Sequence, residues 1–222
     1  MDDAANAFCT GGVEAVELTG LADNFFDSID RDVIRVSILF CSDRVSPVGG
    51  PEFLTDSDVP ALLDSEQDVA WFDGDATSRT PMAVTFEDSG LGGGEFTVVS
   101  VHLKSKGSSG CTGLNCDQDD GQAGFNLRRT ESAQAIAEWL RTNPTGIDAN
   151  RSIVLGDFNA YPREDPIEAF EARGYTNFID EFVGDETVTS LVFFGEAGLL
   201  DHAFGNSTIS PLARNAAVWS IN

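Results

Sequence analysis

The run Ile153-Val154-Leu155-Gly156-Asp157-Phe158-Asn159-Ala160 limits the choice of fold more than any other stretch of the chain. Three apolar β-formers lead into a carboxylate and a carboxamide two residues apart. On an extended chain such residues project to one face, so Asp157 and Asn159 are expected side by side where a strand emerges from a sheet. An acceptor beside a donor suits hydrolysis of a phosphate ester. The carboxylate orients water or holds a cation, and the amide donates to a non-bridging oxygen. Gly-Asp-x-Asn is also ordinary turn chemistry, because both side chains bond to nearby backbone. Both readings stand on the tetrapeptide alone.

The downstream sequence places this strand. Asp165-Pro166-Ile167-Glu168 reads as an N-cap, a proline in the first turn and a capping-box glutamate, with Gly174 ending the helix. Asp157 therefore falls between a strand and a helix, where α/β proteins put their chemistry. Upstream, residues 95–104 alternate: Val99, Val101 and Leu103 point one way, and Ser100, His102 and Lys104 the other. A histidine and a lysine on one face suit phosphate, while a hydrogen-bonded structural histidine is the competing reading. Residues 126–142 form a helix with the buried stripe Ala133, Ile136, Ala137 and Leu140. Its first turn carries Arg128 and Arg129, phosphate contacts or surface arginines.

The remaining chain is read more coarsely. Strands are expected at 33–40, 44–48, 82–87, 188–194 and 199–204, the last two around a Gly195-Glu196-Ala197-Gly198 turn. On the last strand Asp201 and His202 point to opposite faces. Residues 51–81, with Asp56, Asp58, Asp64, Asp68, Asp73 and Asp75, read as a solvated excursion. Glu14 and Glu17 read as solvated residues, and 216–221 as a final apolar segment.

With 222 residues, 41% hydrophobic, the chain suits one core and one domain, assigned to 32–222 after a poorly assigned 1–31. The formal net charge of -24 repels polyanions and gives nucleic-acid binding no support. Lys104 and Lys106 are the only lysines among 13 basic residues. Such a surface fits high salt, and arginine-rich coding fits equally. Cys111 and Cys116, five apart in a Gly/Ser-rich loop, suggest a disulfide in an oxidising compartment; Cys41 reads as a buried thiol and Cys9 is unassigned. The loop acids Asp117, Asp119 and Asp120 lack the spacing and distal glutamate of an EF-hand. No apolar run reaches membrane-spanning length, and Met1-Asp2-Asp3 does not begin a secretion signal.

Taken in order, several motifs resemble those of the endonuclease/exonuclease/phosphatase superfamily, the deoxyribonuclease I-like fold. They are Val101-His102-Leu103-Lys104-Ser105-Lys106-Gly107, Asn126 with Arg128 or Arg129, Gly156-Asp157-Phe158-Asn159-Ala160 and Leu200-Asp201-His202-Ala203. The likeness extends to secreted extracellular nucleases in segments such as Asp32-Val33-Ile34-Arg35-Val36, Val45-Ser46-Pro47-Val48-Gly49 and Arg79-Thr80-Pro81-Met82-Ala83. The resemblance implies a partial four-layered α/β sandwich and phosphodiester hydrolysis with Mg²⁺, or Mn²⁺ or Ca²⁺. By position, Asp157 would orient water or bind the metal and Asn159 would bond the scissile phosphate. His102 would face the phosphate, and Asp201 would orient a later catalytic histidine, so His202 is not the base. Lys104, Asn126, Arg128 and Arg129 would bind substrate.

The superfamily's early Asn and metal-binding Glu strands are not found in the first thirty residues, nor is its terminal Ser-Asp-His motif found. The expectation is thus a domain incomplete at both ends. Three functional readings follow: an extracellular nuclease on DNA, with RNA as a further substrate; a catalytically incompetent fragment with residual phosphate or nucleic-acid binding; and a phosphoesterase on lipid or small phosphate esters. No membrane association and no protein partner are indicated.

Overall fold

The computed structural model describes residues 13–16, 34–63, 70–72, 74, 77–88, 93–184, 188–193 and 195–218. A seven-stranded sheet is built from β3 (Val45–Pro47), β5 (Met82–Asp88), β6 (Glu95–His102), β7 (Ser152–Asp157), β11 (Asp201–Asn206) and β8 (Tyr175–Asn177), in that order, with β4 (Glu52–Phe53) also on β5. The pairing of β6 with β7 is parallel, and the other pairings in this sheet are antiparallel. Two ribbons stand apart from it: β1 (Val13–Val16) with β2 (Ile38–Cys41), and β9 (Leu191–Phe193) with β10 (Glu196–Gly198). The helices are α1 (Val59–Leu62), α2 (Asn126–Arg141), α3 (Asp165–Glu171) and α4 (Phe178–Phe182).

The alternation read from the sequence sorts the sheet into two faces. Ala83, Val99, Val101, Val154 and Phe204 pack in one core with Ala133, Ile136 and Ala137 of α2 and Ile167 and Phe170 of α3. Phe158, Phe170 and Phe204 pack with ring centroids 5.1–5.5 Å apart, which pins the loop just after β7 to the helical layer. On the opposite face Val84, Phe86 and Val98 cluster with Val36 and Ile38. Further along that face Leu155 is 39% exposed. A cavity of about 540 Å³ opens there against Phe96, Ile153, Phe178 and Ile209. Among the described residues no helix is long and apolar enough to cross a membrane.

Several expectations change. The acidic stretch at 51–81 is no simple excursion, because Leu54, Val59, Trp71 and Phe72 are buried in the main core and Asp56 accepts the backbone N–H groups of Trp71 and Phe72. The Gly195–Gly198 turn is instead mostly strand, because β10 begins at Glu196 and pairs with β9. Within the described residues from Ile34 on, regular pairing begins only at Ile38, while Val33 lies outside them. The Tyr175–Phe182 strand and helix were not anticipated. Asp165 is the first residue of α3 rather than its cap; Gln122 Oε1 accepts its N–H. Cys41 is half-buried and disulfide-bonded, not a free thiol, and Cys111 and Cys116 pair as expected. Cys9, Glu17, Asp64, Asp68, Asp73 and Asp75 lie outside the described residues.

Gly156 fixes how closely β7 approaches β6. Its φ is +140°, and a Cβ there would meet the Val101 carbonyl oxygen at 2.1 Å, a contact neither backbone can relieve without breaking the parallel ladder. Gly156→Ala is therefore expected to destabilise the protein by about 3 kcal/mol or more, read from the denaturant midpoint.

Candidate active site

Three strands bring the chemistry together by register. His102, last residue of β6, pairs with Asp157, last residue of β7, and Asp157 pairs in turn with Asp201, first residue of β11. Cross-strand partners share a face, so an imidazole and two carboxylates form a row across the sheet. It is the face opposite α2 and α3, the one on which Leu155 is exposed. His102 Nε2 lies 3.7 Å from Asp157 Oδ2, within ion-pairing range for a charged imidazole. Asp201 is exposed at the edge of the row.

Asp157 also organises the loop that follows. Its Oδ1 accepts the Asn159 N–H at 2.7 Å, closing an Asx turn. Asn159 then adopts φ +48°, which asparagine tolerates better than most residues. The turn is tied to the outgoing end of β6 twice: Leu103 N–H donates to the Asp157 carbonyl, and Asn159 Nδ2 donates to the Leu103 carbonyl. Turn chemistry and site chemistry thus coexist. The side-by-side display of Asp157 and Asn159 on one strand does not occur, because β7 ends at Asp157 and Asn159 is buried. Its amide already holds Leu103, which makes Asn159 a support for the strand carrying His102.

Burial raises the Asp157 carboxyl from 3.8 to about 6; the Asn159 N–H lowers it and the Asp201 charge raises it further. At neutral pH Asp157 is mostly ionised yet basic enough to accept a proton, a property of catalytic carboxylates.

Beside the row lies a corner of cations. Lys104 Nζ sits 4.9 Å and Arg128 Cζ 5.5 Å from the centroid of the buried Phe125 ring. Lys104 donates to Ser105 Oγ, and among the described residues it meets no carboxylate. Its ammonium is pushed down by burial and then by Arg79, Arg128 and Arg129, with no anion opposing them. Arg79, whose N–H donates to the His102 carbonyl, belongs to this corner. Sequence reasoning gave Arg79 no role, although it opens the quoted segment Arg79-Thr80-Pro81-Met82-Ala83.

Other expected site residues lie elsewhere. Arg129 is wholly buried, and its guanidinium donates to the carbonyls of Lys104, Gly124 and Gln122. It cannot reach a phosphate at the surface; it staples the 105–125 loop to α2, and burial lowers its pKa to about 10. Asn126 Nδ2 donates to Asp165 Oδ2 at 2.7 Å, which ties α2 to α3 rather than to the row. His202 is buried on the other face, with Nε2–H donating to the Ala160 carbonyl and Nδ1 accepting from Asn177 Nδ2. Both of its ring nitrogens are thus engaged within the core.

Among the described residues no three His, Cys, Asp or Glu side chains converge to hold a metal ion. The donors in the row are two facing carboxylates, a set that suits a hard cation keeping most of its water. Like charges opposed across strands are unfavourable, and an intervening cation relieves them.

The sign of the Asp157 shift gives a stability test in metal-free buffer. Its native pKa lies above its unfolded value, so the folded state holds an extra proton between about pH 4 and 6. Stability is full below that window and falls as pH rises through 6. A third of the side chain is exposed, so solvent screening limits the loss to about 1 kcal/mol. Asp157→Asn is expected to be more stable than wild type by that amount at pH 7.5, and equal to it at pH 4, in urea denaturation.

No family model matches the chain, and no curated protein matches it. Among solved structures it is similar to an endonuclease/exonuclease/phosphatase family protein from Bacteroides thetaiotaomicron, at 19% identity over 77% of this chain and 55% of the other, with a TM-score of 0.49. The human nocturnin catalytic domain with bound sulfate matches at 16% identity over 77% and 52%, TM-score 0.48. The Bacteroides thetaiotaomicron mannosyl-6-phosphatase matches at 18% over 78% and 57%, TM-score 0.47. The chain spans about half the length of each.

Proposed function

We propose that this chain carries the phosphate-holding part of a hydrolase of phosphate esters in the endonuclease/exonuclease/phosphatase superfamily. One observation carries the reading: the row His102–Asp157–Asp201, with its raised carboxyl, runs beside the cation corner of Lys104, Arg128 and Arg79. The corner attracts the ester's phosphoryl oxygens, Asp157 takes a proton from water or orients it, and the His102 imidazole donates to an oxygen of the ester. Asp157 with Asp201 would hold a divalent cation of the Mg²⁺, Mn²⁺ or Ca²⁺ kind, which would polarise a phosphoryl oxygen. The superfamily resemblance favours a phosphodiester of DNA, with RNA as a further substrate, hydrolysed outside the cell. The Cys111–Cys116 disulfide agrees with an oxidising compartment.

A second reading, small phosphate esters, is favoured by the net charge of -24, which repels a nucleic acid far more than a monoanion. The two separate in one assay that compares plasmid DNA, bis(p-nitrophenyl) phosphate and p-nitrophenyl phosphate with and without divalent cation. Cation-dependent turnover is expected, lowered about 10²- to 10⁴-fold by His102→Ala and by Asp157→Asn. Cleavage that survives chelation or ignores both substitutions contradicts the proposal. A folded protein that turns over no substrate with any cation establishes the incompetent reading instead.

A further inference from the structure

The strands that carry the row hold a second concavity at their other end. Ser152 opens β7 and Asn206 closes β11, and beside them lies a cavity of about 360 Å³ between the end of α2 and the turn into β8. The length of β7 puts it roughly 17 Å from the row. Thr97, Ser152 and Tyr175 line this cavity, and each is more than nine-tenths buried. The Ser152 and Tyr175 hydroxyls share one hydrogen bond, of 3.2 Å, so one of their two hydrogens has no acceptor among the described residues. Burial pushes the Tyr175 phenol up, so it keeps its hydrogen at neutral pH. The Thr85 hydroxyl bonds those of Thr97 and Thr145 at 2.9 and 2.7 Å, and this trio likewise has one hydrogen more than it has bonds.

The charges around the cavity balance. Arg141 and Arg173 line it, and Glu138 lies between them, 3.8 Å from Arg141 Nε and accepting from Arg173 Nε at 3.1 Å. Asp148 adds an exposed carboxylate to the lining. Two guanidiniums and two carboxylates leave no net charge to select an ion, while Leu140 and Pro144 supply an apolar wall. The shape is held before any ligand arrives, because Asn206 Nδ2 donates to the Asn150 carbonyl and Asn206 Oδ1 accepts the Ile209 N–H. The volume lies in the range of small-molecule sites. We propose that this cavity binds a single neutral sugar ring: oxygens of the sugar accept the spare hydroxyl hydrogens of the Ser152–Tyr175 pair and of the Thr97 trio, its own hydroxyls donate to Asp148, and its C–H face lies on Leu140 and Pro144. No residue of the row takes part, so the inference is independent of the hydrolase reading.

The test uses the whole isotope-labelled chain and records ¹H–¹⁵N spectra during titration with the methyl pyranosides of glucose, galactose and mannose, with cyclohexanol and inorganic phosphate as controls. At least one pyranoside is expected to give saturable, millimolar shifts at residues 140–152, 173–175 and 206–207, where neither control does. The double variant Ser152→Ala/Tyr175→Phe removes both hydroxyls of a pair, which leaves no orphaned partner, and is expected to weaken binding about fivefold or more. Asp148→Ala, at an exposed position, is expected to weaken it about fivefold without touching the core. Asp148→Asn, which keeps an acceptor oxygen, is expected to stay within about twofold of wild type. The proposal is overturned by no saturable shift with any pyranoside, by equal shifts with cyclohexanol, by a preference for phosphate, or by affinity unchanged in both the double variant and Asp148→Ala.

Discussion

The parallel contact between β6 and β7 is the constraint on which the rest of the molecule depends. Gly156 admits the Val101 carbonyl where any side chain would exclude it, and that approach sets the register. The register in turn places His102 opposite Asp157 and, one strand further, Asp157 opposite Asp201. A slip of one residue would turn the carboxylate of Asp157 into the helical core and Val154 onto the open face. Phe158, wholly buried against Phe170 and Phe204, resists such a slip by anchoring the next residue on the other side of the sheet. Burying a phenylalanine contributes about 2–3 kcal/mol, enough to hold a loop that also carries a left-handed asparagine and a raised carboxyl.

The site concentrates electrostatic cost on a few groups. Two carboxylates face each other across β7 and β11, and Lys104, Arg128 and Arg79 gather near the Phe125 corner, with Asp56 and Glu131 acting on Arg128. The facing carboxylates are unfavourable alone, and no anion opposes the cations around Lys104. A phosphate ester, with or without an attendant cation, offers the cations an anion and the carboxylates a positive or proton-donating partner. In a chain of net charge -24 a small cationic corner is also the place to which an anion is drawn locally once it passes the acidic surface. Electrostatic cost of this kind, local and opposite in sign to the surface around it, is what supports the proposed binding site.

Much of this was legible in the residues. Alternation along 95–104 places Val99, Val101 and Leu103 in the core, as found, and the stripe Ala133, Ile136 and Ala137 finds the buried face of α2. His102, Asp157 and Asp201 were named from local motifs, but their row depends on long-range pairing that no local pattern encodes. Residue type also failed to separate neighbours. Arg128 and Arg129 look alike in sequence; one lies over a ring beside Lys104, the other is consumed by three carbonyls. Asn159 reads as a phosphate donor and is occupied by Leu103. Acidic composition at 51–81 hid Leu54, Val59, Trp71 and Phe72, because their spacing follows neither the helix nor the strand period. Asn115, whose Oδ1 accepts the Arg128 N–H in the first turn of α2 from thirteen residues away, has no sequence signature for that role.

The chain has two histidines, one in the row and one in the core, so a single spectrum can report on the site. The most direct measurement is the imidazole ¹H–¹⁵N correlation spectrum of the labelled protein during titration with inorganic phosphate. The account predicts saturable movement of the His102 resonances while those of His202, enclosed by Asn177 and Ala160, stay fixed. A His102 signal indifferent to phosphate, or movement confined to His202, would contradict it.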